Sequence, residues 1–147
     1  MRKLAILIAA TAVAFAGSAH AGETPSPPGA KVYFANLEDG DTVASPVTII
    51  FALSGMGVAP AGVEKENTGH HHLFVDRAPF GEGEDGPEEA EFNIPDDGNH
   101  IHFGGGQTEI ELELTPGEHT LQLVLADQNH LPHDPPVVSD RISITVE

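Results

Sequence analysis

The apolar and polar positions of this chain alternate over short distances. In "TEIELEL", Ile110, Leu112 and Leu114 alternate with Glu109, Glu111 and Glu113, a period of two that places each set on its own face of an extended segment. Leu121, Leu123 and Leu125 repeat the scheme after the turn "TPGE". "KVYFAN", "PVTIIFAL", "HHLFVD", "HTLQLVLAD" and "DRISITVE" read as further strands, separated by turn-forming stretches such as "LEDGDTVAS". No stretch has a helical period. About seven short strands between Lys31 and Glu147 predict one all-β domain, an antiparallel β-sandwich of immunoglobulin-like type.

Three segments depart from this pattern. Met1-Arg2-Lys3, the short apolar run "LAILIAATAVAFA" and the small-residue "SAHA" read as a secretory signal peptide over residues 1–21, cut after Ala21. A cut after Ala19 would instead leave His20 first, with an amine and a ring suited to square-planar copper(II). Gly22 to Ala30, "GETPSPPGA", reads as a proline-rich leader with nothing to bury. "RAPFGEGEDGPEEAEFNIPDDGN", Arg77 to Asn99, reads as a solvated acidic loop whose effect is electrostatic. Its carboxylates lack the alternate-oxygen spacing and closing Glu of an EF-hand.

A periplasmic or secreted location follows from the signal peptide, with no membrane insertion after its removal. Export permits disulfides, yet the chain has no Cys, so core burial, bound metal or both must hold the fold. The formal charge is −17, and losing Arg2 and Lys3 with the signal peptide takes it to −19. Such a surface repels nucleic acid and anionic lipid and attracts cations. A saline habitat would favour the same composition.

The histidines bring in candidate chemistry. Eight of the nine follow the signal peptide, at 70, 71, 72, 100, 102, 119, 130 and 133, and most are clustered in "GHHH", "NHIHF" and "NHLPHDPP". Alternate residues of a strand share a face about 7 Å apart, so His70 and His72 point together, as do His100 and His102. Two such pairs side by side would offer four imidazoles to one metal ion. His71 should face the other way, and His130 and His133 would close the site from a loop. Met56, in "GMGVAP", is either a core plug or a weak axial ligand to copper. His119 reads as a packing or capping residue. Several imidazoles without thiolate suit copper(II) first and zinc second, with Asp76, Glu109 or Asp134 available to orient the rings. An all-imidazole site predicts affinity that weakens below about pH 6. The glycines 104–106 precede a strand and lack a phosphate-loop Lys, so they read as a tight turn or bulge.

In order along the chain, "GMGVAPAG", "GHHHLFVD", "HIHFGGGQTE", "GEHTLQLVLAD" and "NHLPHDPPVVSDRISITVE" resemble the signature blocks of a bacterial exported family, domain of unknown function 4399. The resemblance runs from about Lys31 to Glu147. It implies that His70, His71, His72, His100, His102, His130 and His133 belong to the family pattern and that the acidic insert is variable. It implies no activity.

The leading expectation is a protein that captures or buffers copper(II) or zinc at a histidine cluster. One alternative is an immunoglobulin-like interaction module with structural histidines and an envelope protein as partner. Another is a metal-dependent redox enzyme, although no Ser-His-Asp set or carboxylate pair stands out.

Overall fold

The period-two segments form strands whose apolar faces meet between two sheets. The computed structural model describes residues 24–147, and the expected signal peptide lies outside the described residues. The elements are β1 (Lys31–Phe34), β2 (Thr42–Val43), β3 (Val47–Ser54), β4 (Gly57–Val58), β5 (Thr68–Val75), α1 (Gly86–Glu91), β6 (His100–His102), β7 (Glu109–Leu112), β8 (Gly117–Ala126) and β9 (Ile142–Val146). One sheet has the order β1-β3-β7, and the other β2-β9-β8-β5-β4, with β6 also paired to β5. The longer strands pair antiparallel, while the two-residue β2 and β4 run parallel to β9 and β5. The fold is the expected all-β sandwich.

The core between the sheets is built from alternate residues. Ile49 and Phe51 of β3, Leu73 and Val75 of β5, Leu121, Leu123 and Leu125 of β8, and Ile142, Ile144 and Val146 of β9 are all buried there. On β7, Glu109 and Glu111 stay exposed while Ile110 and Leu112 turn inward, which also places charge on a sheet edge.

β5 departs from simple alternation, because both of its faces are covered and residues 69–75 are all buried. Its second face carries a smaller cluster of Phe74, Ile94, Val124 and Ala126. What covers that face is the acidic insert. Most of the insert is exposed, as expected, but it is not structureless: it contains α1, started by a proline at its N-terminus and by Glu88 and Glu89 in its first turn, both favourable to a helix start. Glu89 is only 3% exposed. Its Oε1 accepts from Arg77 Nη2 at 2.5 Å and lies 3.0 Å from His100 Nε2, so the pairing stands in for the lost hydration of the carboxylate.

The leader is also held. Asp134 N donates to Thr24 O and Ser26 N to Asp134 O, at 3.0 and 3.1 Å, and Ser26 Oγ donates to Pro135 O at 2.7 Å. Among the described residues no helix is long and apolar enough to cross a membrane.

Candidate metal centre

Two adjacent strands and one loop bring four imidazoles together. β5 and β6 pair in a register that sets His72 opposite His102 and Phe74 opposite His100. His70, His72 and His102 therefore project from the face that carries Phe74, away from the main core. The fourth ring, His130, comes from the loop after β8. Ring centroids are 5.0 Å apart for His70 and His102, 5.0 Å for His72 and His102, and 4.9 Å for His70 and His72. His130 lies 4.6 Å from His102 and 5.1 Å from His70.

One nitrogen from each of His70, His102 and His130 falls in a set whose members all lie within 4.8 Å of one another. His72 Nε2 is 3.1 Å from His70 Nε2. Metal–nitrogen bonds of about 2.0 Å separate neighbouring ligand atoms by about 3 Å and opposite ones in a square plane by about 4 Å. The cluster is therefore close to the span that one ion requires.

The polar atoms there lack other partners. His70 Nδ1, His72 Nδ1 and His102 Nε2 are buried without a hydrogen bond among the described residues, a condition that costs about 1–3 kcal/mol per group. Burial, followed by the neighbouring rings of His102 and His130, pushes the His70 pKa down to about 4. Burial and then His70 push His72 down to about 2, and burial followed by His130 lowers His102. The rings are thus held in the neutral form that ligates metal.

His130 occupies its position because of Asp127. The Asp127 carboxylate is 1% exposed, and its Oδ1 accepts from the backbone N–H groups of Asn129 and Leu131 at 2.8 and 3.0 Å. This side-chain-closed turn holds His130 in the left-handed region at φ 67°, which non-glycine residues seldom adopt. The insert supports the loop from outside: Ile94 N donates to His130 O at 2.9 Å, and Asn93 Nδ2 donates to Asn129 O. Its contribution is thus structural as well as electrostatic.

Gly104 makes room for the third ring. The glycine run forms a turn in which Gly106 N donates to Phe103 O. A Cβ on Gly104 would stand 2.7 Å from His102 Nε2, so the imidazole folds over bare backbone. Gly104→Ala is expected to displace that ring and weaken metal binding about tenfold, measured by competition with a chromophoric chelator. Unchanged affinity would show that His102 does not need this position.

The remaining candidates lie elsewhere. His100 shares a face with His102, as expected, but sits one register step away beside Phe74. Glu89 and Asp97 occupy its two nitrogens, each at 3.0 Å, so it belongs with these carboxylates rather than with the four-ring cluster. His71 faces the main core, 5.3 Å from the Phe51 ring. Burial lowers its pKa to about 4 against a weaker upward pull from the Gln107 backbone, with which it makes no hydrogen bond of normal geometry. His133 is on that same side of β5, since a Cβ on Gly69 would stand 2.9 Å from both His133 Nε2 and Leu125 Cγ. It does not close the cluster. Met56 packs against the main core and acts as a plug.

Among the carboxylates expected to orient rings, Asp76 serves His119, with its Oδ2 2.8 Å from Nδ1. Asp134 pairs with the leader through its backbone, and Glu109 is exposed on β7. Asp127 is the functional residue that sequence reasoning missed, although "DQN" before His130 carries an Asp-closed turn signal.

A family model described as "Domain of unknown function (DUF4399)" matches residues 49–147. The chain belongs to this family. All four rings of the cluster fall inside the DUF4399 match, as do Gly104 and Asp127, whereas the leader and β1 lie before it. No curated protein and no solved structure matches the chain.

Proposed function

We propose that this DUF4399 protein is exported and captures or buffers copper(II), with zinc as the alternative cargo, at His70, His72, His102 and His130. The observation that carries the reading is the convergence of His70, His102 and His130 within the reach of one ion, with His72 against His70 and buried nitrogens of His70, His72 and His102 left without a hydrogen bond among the described residues. The donor set favours these metals: it has no thiolate for a soft ion and no carboxylate for calcium or magnesium. Copper(II) leads because a set of imidazole nitrogens suits it and because it binds most tightly among the divalent first-row ions. Supply of a bound ion to an envelope partner would pass through His130, the one ring of the cluster carried by a loop.

Isothermal titration of the metal-free mature protein with copper(II) and zinc, beside His70→Ala/His72→Ala, tests this. A single tight equivalent is expected, weakened about ten-thousandfold in the variant, because each of the two ligands removed from a four-ligand site carries roughly 3 kcal/mol. Binding no tighter than that of a generic acidic protein would make the histidines structural, and the interaction-module reading would replace this one.

A further inference from the structure

Three of the four rings come from strands locked in a sheet, and the fourth comes from a loop. An ion leaving the cluster therefore departs most readily when the His130 loop opens. What resists that opening lies in the leader. Thr24 Oγ1 donates to Asp127 Oδ2 at 2.6 Å, bonding the second oxygen of the carboxylate whose first oxygen shapes the His130 turn. On the same stretch, Thr24 O accepts from Asp134 N at 3.0 Å and lies 3.3 Å from His133 Nδ1. Pro25 forms a parallel bridge with Asp134. The leader thus runs along the 127–135 loop from end to end, a sequence distance of 103 residues between Thr24 and Asp127.

From this geometry we infer that Thr24 is a positioning residue for the metal centre, setting how fast the bound ion exchanges through the His130 loop. The inference rests on the proposed metal-binding function. Its physical basis is the asymmetry of a buried carboxylate. Once Thr24 no longer donates, Asp127 Oδ2 loses its partner in a site that water reaches poorly, and the closed loop loses the advantage that this charge-assisted bond supplied. The strand-borne ligands do not depend on Thr24, so the ligand set of the closed state is preserved while its lifetime shortens. The leader lies outside the residues matched by the family model, so the control would be a property of this chain's own N-terminal segment.

The test is the rate at which excess chelator removes copper(II) from wild type, Thr24→Val and Thr24→Ser, with the visible spectrum of each copper form recorded. Thr24→Val keeps the shape and removes the donor. It is expected to release copper about tenfold to a hundredfold faster, the range that one hydrogen bond to a charged group spans, with an unchanged spectrum. Thr24→Ser, which restores the donor, should return to the wild-type rate. If Thr24→Val is destabilised, Ser26→Ala provides an independent loosening through the lost bond to Pro135 O and should also speed release. Equal rates in wild type, Thr24→Val and Ser26→Ala would overturn the inference while leaving metal binding intact. A rate that changes equally in Thr24→Val and Thr24→Ser would overturn it too, since the donor would then be irrelevant. Wild type that takes up no copper would instead overturn the function on which it rests.

Discussion

Metal-free protein taken from pH 7 to pH 4 is expected to lose most or all of its stability. Buried histidines drive the change. His70 and His71 are fully buried, and burial brings each from an ordinary 6.5 down to about 4 in the folded state. The unfolded chain therefore binds more protons than the folded one between these two values. A group with a depressed folded pKa of this cationic kind supports the fold above 6.5, and that support fades as pH falls toward 4. Lowering a pKa by one corresponds to about 1.4 kcal/mol, so these two residues together withdraw about 7 kcal/mol, comparable with the whole stability of an ordinary domain. His72, His102 and His133 are lowered as well. His119 opposes them: burial lowers it, but the Asp76 carboxylate and the Thr115 carbonyl win and its pKa is raised. Its contribution is present below 6.5 and is lost as pH rises through its folded value, so it acts against the trend of the group. Urea unfolding midpoints at pH 7, 5.5 and 4.5 check the prediction, and a midpoint that stays constant across them contradicts it. The same burial revises the expected threshold for metal affinity. Protons compete for His70 near 4 rather than near 6, so loss of that ligand to protonation is expected at a lower pH than an ordinary imidazole would give.

The second large effect is stabilisation by metal. An ion present at about a thousand times its dissociation constant adds about 4 kcal/mol to a fold that alone binds it, which for a domain of this size raises Tm by about 10 °C. His70→Ala/His102→Ala should show no such rise, because it removes a ligand from each of the two paired strands. Thermal unfolding followed by circular dichroism, with and without copper(II) or zinc, separates the outcomes. An equal rise in wild type and variant would assign the stabilisation to the acidic surface, which carries ions without using the cluster.

Much of this architecture can be read from residue order. The alternation at Ile110 and Leu112 and at Leu121, Leu123 and Leu125 predicts the strands and their buried faces, and the His-x-His spacing predicts that His70 and His72 share a side that excludes His71. Less legible is which rings meet across strands. His100 and His102 satisfy the same-face rule equally well, and only the pairing of His72 with His102 decides that one joins the cluster and the other turns to Glu89. Register between strands separated by a long insert depends on the whole sheet and not on local pattern. The six-residue α1 is too short to display a period, although the proline and paired glutamates at its start are helix signals. His130 enters the site through a turn closed by one carboxylate, a tertiary arrangement in which Asp127 is also bound by Thr24, far away in sequence.

Two-sided burial of β5 has a consequence for how this chain can change. Its odd-numbered residues, His71 among them, complete the sandwich interior and its even-numbered ones furnish His70 and His72 of the cluster, so interior and cluster are written into one eight-residue strand in alternate letters. A single-residue insertion or deletion there would exchange the two messages, sending His70 and His72 inward and Leu73 to the cluster side. Point substitutions can tune the centre, but drift in the length of this strand is closed to it.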